Sequence, residues 1–247
     1  IGFLDSLDSK IESNDRIHDV QLNLLQTQFR AWFDVHIDEE ENYDGETCSL
    51  GNFVSFHKET IDPTDTPGEE FELYSFEAYD QRRHPFLTKG ENIESHKYQL
   101  TEDCILVSKL NPRIKRTWKP ERISEKSVCS TEFLVMVPDK KEYSGFVWGL
   151  VNSPRFIEFM KSHTTGTSNS HQRVKPEDVL DYEFKKPNMR AVRRFQQISE
   201  YPHLNNYTLK KQNRILEKIR DLVLPGLMTG EIRVNDINIG SERFNNG

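Results

Sequence analysis

The sequence predicts an α+β protein in which two long helices, packed as an antiparallel coiled coil, flank a globular domain with a mixed sheet. Amphipathic stripes of helical spacing lie near both ends of the chain, and short apolar runs of strand length lie between them. Strands and helices do not alternate strictly, which argues against a parallel α/β fold. Leu, Ile, Val and Phe form about 26% of the chain, above the level of roughly 20% below which charged chains tend to stay disordered.

Residues 3–33 are predicted to form one long helix, because apolar side chains recur every three or four positions and no proline interrupts them. At 1.5 Å per residue this helix would be roughly 45 Å long, which is long for a helix buried in a small domain. The stripe comprises Leu4, Leu7, Ile11, His18, Leu22, Leu25, Phe29 and Trp32.

Residues 207–224 are predicted to form a second helix, which Pro225 and Gly226 end. Its seam has the 3-4 spacing of a coiled coil and one polar position, Gln212. The two helices would pair antiparallel with each other or with the same helices of a second copy. Because the first helix is longer, roughly a third of its stripe would remain for another copy or partner. The subunit interface is expected to contain Leu4, Leu7, Ile11, Leu22, Leu25, Leu209, Leu216, Ile219 and Val223.

The residues between the helices have a different composition. Residues 38–46 hold six carboxylates in nine positions and are expected to form an acidic linker. Residues 147–162 are predicted to be helical on both sides of Pro154, and residues 176–181 to form a further helical turn. Short apolar runs with turn signals predict strands at residues 50–56, 73–76, 105–110 and 133–137.

Charge is distributed unevenly along the chain, although the net charge is only −7. Residues 1–80 carry a net −16, residues 81–194 a net +8 and residues 195–247 a net +1. A positive field on one module suits a phosphate backbone. An ordinary solvated basic face is the alternative, and charge alone does not decide between the two.

Neither a membrane span nor a disulfide framework is expected. The longest unbroken apolar run is residues 133–137, and no apolar stretch led by basic residues opens the chain as a signal peptide would. Cys48, Cys104 and Cys129 are too few and too scattered for a disulfide network or a cysteine-based zinc site. These features predict a reduced, cytoplasmic protein with structural thiols.

No catalytic constellation stands out in the sequence. Asn-Pro-Arg at 111–113 shares only two residues with the Asn-Pro-Pro-aromatic motif of amino-methyltransferases, and no glycine-rich cofactor loop accompanies it. Asp139 and the pair Glu183 and Lys185 imitate the pattern of metal-dependent nucleases, but over forty residues separate them. A metal-dependent DNA endonuclease is therefore kept as an alternative, as is a coiled-coil scaffold without a DNA role.

Two polar segments are typical of nucleic-acid contacts. Residues 106–120 interleave cations with amide and aromatic side chains, and such cations and amides pair with phosphates and base edges. Residues 163–174 form a turn rich in hydroxyls and amides around a glycine. A basic strand over a core and a structural loop are the respective alternatives. The candidate DNA contacts are Lys109, Asn111, Arg113, Lys115, Arg116, Trp118, Ser168, Asn169, Ser170, His171, Gln172 and Arg173.

Several segments, in the same order along the chain as in the family, resemble the target recognition domain and conserved helices of type I restriction–modification specificity subunits. The recognition domain is resembled by YSFEAYDQRRHPFLTKGENIESHKYQL, LVSKLNPRIKRTW, STEFLVMVP, LVNSPRF and TTGTSNSHQRVKPEDVL. LDSLDSKIESNDRIHDVQLNLLQTQFRAWF is similar to the central conserved helix of that family, and ILEKIRDLVLPGLMTGEIRV to its C-terminal helix and tail. The resemblance covers residues 3 to 234 in the order of the family.

The resemblance implies a subunit that is not an enzyme and that binds double-stranded DNA at one half of a bipartite site. Its helices would carry the modification (methyltransferase) subunit and, through it, the restriction subunit. It implies no cofactor on this chain, since S-adenosylmethionine, Mg²⁺ and ATP would belong to the partner subunits. The implied segments are a spacer helix at 1–36, a DNA-binding target recognition domain at 37–200, a C-terminal helix and tail at 201–234 and a further tail at 235–247.

One recognition domain is present where full-length subunits of the family have two. We therefore expect either a half-subunit that forms a homodimer or the C-terminal half of a longer chain, and the start at Ile1 without Met favours an excerpt. Segments typical of the family cannot alone set the choice of DNA sequence, so Lys109, Asn111, Arg113, Arg116 and residues 168–173 are expected to position the DNA backbone or to shape the domain. Base readout is therefore expected in less typical stretches, such as residues 79–84 or 122–126.

Overall fold

The structure is a computed structural model that describes residues 2–34, 43–165 and 172–231. Its α+β composition and its long terminal helices confirm the predicted fold class. In chain order the elements are α1 (Gly2–Phe33), β1 (Tyr43–Ser49), β2 (Val54–His57), β3 (Thr60–Ile61), β4 (Glu70–Tyr74), α2 (Phe76–Arg82), β5 (Phe86–Lys89), β6 (Lys97–Gln99), β7 (Ile105–Ser108), β8 (Thr117–Trp118), β9 (Ser127–Ser130), β10 (Phe133–Pro138), α3 (Ser144–Val151), α4 (Pro154–Ser162), β11 (Thr164–Thr165), β12 (Arg173–Val174), α5 (Pro176–Leu180), β13 (Glu183–Pro187) and α6 (Met189–Thr229).

The described residues divide into two compact units. The helical unit contains the residues up to Asn23 and from Pro202 onward, and the sheet unit contains Leu24–Tyr201. The division falls at a proline inside α6, which has no N–H for a helical hydrogen bond. The domain limits predicted at residues 36 and 200 stay predictions.

The helix α6 is longer at both ends than the predicted range 207–224. Its first turns are held by buried side chains such as Val192 and Phe195, whose packing in the sheet unit the predicted seam did not include. Pro225 does not end the helix, which continues to Thr229.

Two sheets form the frame of the sheet unit. The four-stranded sheet has the order β2-β10-β7-β8, with antiparallel neighbours throughout. The five-stranded sheet has the order β3-β6-β9-β4-β5, and β4 and β9 form its one parallel pair. Outside these sheets, β1 pairs antiparallel with β13 and β11 with β12.

The predicted strands and short helices are present with shifted limits. Residues 50–56 begin with a 3-10 turn before β2, and Phe76 starts α2 rather than ending β4. The helices on both sides of Pro154 and the turn after Pro176 are confirmed as α3, α4 and α5. The acidic linker is corrected in part: residues 43–46 belong to β1, because β13 supplies partners for the backbone. Residues 38–42 lie outside the described part of the chain.

The core between the two sheets takes side chains from both of them. Tyr74 and Cys129 come from the five-stranded sheet, and Leu106, Trp118 and Phe133 come from the four-stranded one. The rings of Tyr74 and Trp118 lie 4.7 Å apart between centroids, a distance at which tilted aromatic rings attract each other.

A second core of the sheet unit is aromatic. Phe29 of α1 lies 5.7 Å from the ring centroid of Phe146 in α3 and 5.6 Å from that of Phe195 in α6. Gly149 makes this packing possible, since a Cβ atom there would lie 2.1 Å from Cδ2 of Phe29. The side-chain amide of Gln26 donates to the Gly149 carbonyl at 3.2 Å, which anchors the same pair of helices.

In the helical unit, α1 and α6 pair antiparallel through a seam that is half polar. The side-chain amide of Asn14 donates to Oδ1 of Asn213, and Nη1 of Arg220 donates to Oδ1 of Asp8 at 2.9 Å. The seam positions of α6 alternate between amide or guanidinium and aliphatic side chains at 3-4 spacing. They are Asn206, Leu209, Asn213, Leu216, Arg220 and Val223.

The seam within the chain includes some of the residues predicted for the subunit interface, and their contact with another subunit stays a prediction. Leu7, Leu25 and Leu209 are buried, whereas Leu4, Ile11, Leu22, Leu216 and Val223 are half-buried. Gln212 and Ile219 were expected in the seam, but Gln212 is exposed and Ile219 is 37% exposed. Asn213 and Arg220 occupy those seam positions instead, because their side chains find polar partners on α1.

Candidate nucleic-acid interface

The two polar segments predicted from the sequence lie side by side in the sheet unit. The N–H of Asn111 donates to the carbonyl of Gln172 at 2.8 Å, and the N–H of Val174 donates to the carbonyl of Lys109 at 3.0 Å. The residues between these bonds form an antiparallel bridge. Segments that are distant in sequence thus share one extended edge. Four predicted contacts lie outside the described residues, namely Ser168, Asn169, Ser170 and His171.

Asn111 turns the chain at this edge. Its φ of 49° lies in the left-handed region, which Asn tolerates better than most residues, and its carbonyl accepts the N–H of Ile114 at 2.9 Å. Pro112 is buried beneath the turn, while Arg113 is exposed and Ile114 is 50% exposed. Arg113 makes no ion pair with a described residue, so its guanidinium is available at the tip of the turn.

Lys109 begins the edge as a half-buried residue. Its N–H donates to the carbonyl of Glu132 at 3.0 Å, and the hydroxyl of Ser108 donates to the carbonyl of Leu110 at 2.6 Å. These bonds fix the backbone that carries the turn.

Arg173 pairs with a carboxylate on the same surface. Its Nη2 lies 2.9 Å from Oε1 of Glu132, and its Nε lies 3.1 Å from Oε2. Both side chains remain partly exposed, so the pair is a surface ion pair of modest strength. A phosphate would have to compete with Glu132 for this guanidinium.

Arg116 is held inside the fold. Its Nε and Nη2 donate to the two carboxylate oxygens of Asp80 at 2.8 Å and 2.6 Å, and its guanidinium lies 4.7 Å from the ring centroid of Phe76. Only 10% of its side chain is exposed. The hydrogen bonds from Arg116 lower the pKa of the Asp80 carboxyl below its usual range. Of the two roles expected for Arg116, positioning the DNA backbone or shaping the domain, these contacts within the fold fit the second.

Trp118 is buried rather than presented to a ligand. Its side chain is 3% exposed and packs against Tyr74 and Tyr79 in the core between the sheets. This burial corrects the expectation that Trp118 lies on the binding surface, since no face of its ring is open to a base.

Lys115 directly precedes Arg116, and it is exposed. Partial desolvation of the amine, on a side chain that is exposed overall, lowers the pKa of Lys115, and the positive charge of Arg83 after α2 lowers it further. Through the ion pair between Asp80 and Arg116, residues 79–84, one of the stretches expected to read bases, border the basic turn at residues 113–116. The guanidinium of Arg83 also lies 5.6 Å from the ring centroid of Tyr79.

The other stretch expected to read bases, residues 122–126, takes part in the fold. The hydroxyl of Tyr74 donates to the carbonyl of Arg122 at 3.4 Å, and Lys126 forms an ion pair with Glu69. The hydroxyl of Ser124 donates to Oε2 of Glu72 at 3.1 Å. These contacts tie the stretch to β4 and to the residues before it.

Sequence reasoning missed the carboxylates that organise this surface. Asp80 lies 36 residues from Arg116, and Glu132 lies 41 residues from Arg173. No local spacing links such pairs, because the sheet topology brings them together. The sequence indicated Arg83 only as part of residues 79–84, a stretch expected to read bases.

Two further observations bear on function. No helix in the described ranges has an apolar stretch long enough to cross a bilayer. Within the same ranges, no three His, Cys, Asp or Glu side chains gather in a group that could hold a metal ion. Asp139, a residue of the nuclease alternative, uses its N–H to bond the carbonyl of Phe53 at 2.9 Å.

Several solved structures are similar to this chain. The S subunit of a type I restriction–modification system from M. genitalium matches 90% of this chain and 55% of its own length, at 18% identity and a TM-score of 0.50. The HsdS subunit from Thermoanaerobacter tengcongensis matches 94% of this chain and 56% of its own length, at 12% identity and a TM-score of 0.42. A chain from a study of complex assembly and conformational transition of the type I R-M system matches 94% and 58%, at 12% identity and a TM-score of 0.40.

The likeness to the M. genitalium subunit shows that the two chains share a fold. This chain spans a little over half the length of the solved chains that it matches. No protein-family model matches the sequence, and no curated protein does.

Proposed function

We propose that this chain is a non-catalytic DNA-recognition subunit of a type I restriction–modification complex and reads one half of a bipartite DNA site. The observation that carries the proposal is the meeting of residues 109–111 with residues 172–174 on one edge of the sheet unit. Two segments chosen from the sequence for their phosphate- and base-pairing side chains thereby form one surface, in a chain with the fold of an S subunit.

Charge supports a nucleic-acid partner over an uncharged one. The block of residues 81–194, which carries this edge, has a net charge of +8, whereas residues 1–80 have a net charge of −16. A duplex would be attracted to the basic block and repelled by the acidic one, so the field orients DNA before any contact forms. Arg113 and Lys115 supply exposed cations at the turn.

The helical unit is proposed to carry the protein partners. These are the modification (methyltransferase) subunit and, through it, the restriction subunit, which would bind S-adenosylmethionine, Mg²⁺ and ATP in place of this chain. This chain spans about half the length of the S subunit that it resembles. A second recognition domain, for the other half of the site, is proposed to come from a second copy or from another part of a longer chain.

Exposed apolar side chains on one flank of the helical unit support self-association. Gln212 accepts a hydrogen bond from Asn14, and Ile219 lies seven residues further along α6 on the same side. Ile17 lies three residues after Asn14 on α1 and therefore borders that flank. The exposed apolar side chains of the unit include Ile17, Val20, Ile215, Ile219 and Leu222.

A fluorescence-anisotropy titration of the chain with duplex DNA at several salt concentrations tests the proposal. The expected result is binding whose logarithmic affinity falls with the logarithm of salt by about 0.9 for each neutralised phosphate. Affinity that is absent or indifferent to salt would refute a DNA role and favour the scaffold alternative. Incubation of the same duplex with Mg²⁺ should leave it intact, whereas cleavage would favour the endonuclease alternative.

A further inference from the structure

We propose that Arg173 reads one guanine of the DNA site through its guanidinium, and that Glu132 positions the guanidinium for this contact. The inference rests on the proposed DNA-recognition function and deepens it, because it assigns one reader of bases on the candidate edge. It revises the role expected for Arg173 from the sequence, which was to position the DNA backbone or to shape the domain. Glu132 was not among the candidate contacts taken from the sequence.

Both residues lie on the edge where residues 109–111 meet residues 172–174. Arg173 belongs to β12 and forms an antiparallel bridge with Leu110. Glu132 lies between β9 and β10, and its carbonyl accepts the N–H of Lys109 at 3.0 Å. Backbone hydrogen bonds of the edge therefore fix the places from which the two side chains project.

Glu132 binds one side of the Arg173 guanidinium and leaves its end free. Nε of Arg173 donates to Oε2 of Glu132 at 3.1 Å, and Nη2 donates to Oε1 at 2.9 Å. Nη1 donates to no residue in the described ranges. Because a guanidinium has five N–H donors in one plane, Nη1 and the second N–H of Nη2 still offer two donors side by side. The Arg173 side chain is 45% exposed, so a ligand can reach this end.

The two remaining donors match the edge of a guanine. O6 and N7 of guanine are neighbouring acceptors in the major groove, and a bidentate arginine is the commonest specific contact with them. Adenine has a donor beside its N7 acceptor, so one of the two N–H groups would meet another N–H there. The carboxylate of Glu132 holds the guanidinium in one orientation, which reduces the conformational entropy lost when DNA binds.

The same carboxylate disfavours a phosphate at this place. A phosphate bound to Arg173 would lie near the negative charge of Glu132, and like charges repel each other. The edge of a guanine carries no net charge, so it can bind beside the carboxylate without this repulsion. Arg113 differs in this respect, because it makes no ion pair with a described residue.

The first test uses a duplex that the wild-type chain selects from a random pool, with each guanine replaced in turn by 7-deazaguanine, which lacks the N7 acceptor. One of these replacements should weaken wild-type binding by roughly fivefold or more, a part of the discrimination that a bidentate contact gives. The same replacement should have no further effect on Arg173→Met, which has no donor. A selected duplex without guanine, a wild type that tolerates every replacement, or an Arg173→Met variant that remains sensitive to all of them would overturn the assignment.

The second test uses the sign of a charge change. Glu132→Gln removes a negative charge, so it should tighten binding to every duplex if Arg173 contacts a phosphate. If Glu132 positions a reader of bases, the variant should instead bind the selected duplex roughly fivefold more weakly and lose discrimination against random duplexes. Glu142→Gln is the matched control, because Glu142 accepts a hydrogen bond from Nε of Arg193 at 3.0 Å in another exposed ion pair of the sheet unit. Tighter binding to every duplex, or equal behaviour of the two variants, would overturn the positioning role.

Salt dependence and stability keep these outcomes distinct. Arg173→Met should leave the salt slope of binding to random duplexes unchanged, whereas a slope smaller by about 0.9 would assign Arg173 to a phosphate and overturn the inference. Circular dichroism checks the fold, and if Glu132→Gln unfolds, the series with 7-deazaguanine still decides, since it needs no change at Glu132. A wild-type chain that binds no duplex would refute the proposed function itself. Wild-type binding that no variant at residues 132 and 173 alters would refute only this reader.

Discussion

The side-chain amide of Asn14 donates a hydrogen bond to Oδ1 of Asn213 at 2.7 Å inside the seam between α1 and α6. The amide of Asn213 in turn donates to Oδ1 of Asp15 at 2.8 Å. Both asparagines are buried, so each bond replaces one that water would otherwise supply. Buried amides of this kind favour one register, since a shifted pairing would leave them opposite aliphatic side chains.

Asn213→Ala should lower the free energy of unfolding by about 1–3 kcal/mol, because it leaves the amide of Asn14 buried without this partner. Replacing both asparagines with leucine should recover most of that loss, since an apolar pair needs no hydrogen bond. Urea unfolding followed by circular dichroism measures the effect. Gln212→Ala is the control, because Gln212 is exposed and its bond to Asn14 is 3.4 Å long. If the variant with leucine at both positions were less stable than Asn213→Ala, this account would be contradicted.

Gly149→Ala should destabilise the sheet unit by at least about 3 kcal/mol, the upper end of ordinary overpacking. The added methyl carbon would lie 2.1 Å from Cδ2 of Phe29, a ring that also packs against Phe146 and Phe195 and cannot withdraw. Gly68→Ala is the matched control, since its Cβ would meet nothing within 4 Å. Thermal unfolding compares the two, and equal midpoints would contradict the close packing.

Arg113→Ala should weaken binding to a duplex that carries the recognised sequence and to duplexes of random sequence alike, by roughly 1 kcal/mol or more, as expected for a contact with the DNA backbone. The residue is exposed at the tip of the turn that Asn111 starts, and no described carboxylate pairs with it. Anisotropy titrations with both duplexes decide the matter. A loss confined to the selected duplex would make Arg113 a reader of bases.

Ile219→Asp should separate a dimer into monomers without unfolding the pair of helices. Ile219 is exposed outside the seam, so a charge there costs little in the monomer but would be buried in an interface on this flank. Light scattering at tens of micromolar measures the mass, and circular dichroism checks the fold. A wild type that is monomeric under these conditions would refute self-association.

The cysteines should react slowly with alkylating reagents in the folded protein. Burial raises the pKa of Cys48 to about 11 and that of Cys104 to about 12, and it also raises the pKa of Cys129. At pH 8 Cys48 should therefore react roughly a hundredfold more slowly than in urea, because only the thiolate attacks. Since the folded pKa lies above the unfolded value of 9.0, this group should contribute stability below pH 9 that is lost as the pH rises towards 11. Equal rates with and without urea would contradict the burial of these thiols.

The extent of sequence prediction differs between the helices and the surface. Periodicity located α1 almost to the residue, because Leu7, Leu25 and Phe29 are apolar and buried on one stripe. The same reasoning placed Leu209, Leu216 and Val223 of α6 in the seam, as the structure does. It chose Gln212 and Ile219 for the positions between them, where Asn213 and Arg220 lie instead. Periodicity weighs hydrophobicity alone, whereas this seam is stabilised by polar pairs between helices.

On the candidate surface, too, the sequence did not show which contacts the fold brings together. The sequence indicated which segments are basic, and the fold brings both of them to one edge at Lys109 and Gln172. It did not indicate which cations are neutralised, because the carboxylate that holds Arg116 lies on another element. Trp118 was chosen for its aromatic ring between cations, and only the packing of two sheets shows that the ring is enclosed.

The pairing of β1 with β13 can form only late in the synthesis of the protein. Cys48 pairs with Phe184, so a nascent chain has to be extended by more than a hundred residues before β1 finds its partner. At 5–20 residues per second this takes roughly 7 to 30 seconds, during which the edge of β1 is open to other chains. Asp44 and Glu46 lie within that strand, and charged side chains on an unpaired strand edge discourage aggregation. We therefore expect the acidic residues of this strand to protect the nascent chain from aggregation until β13 has been synthesised.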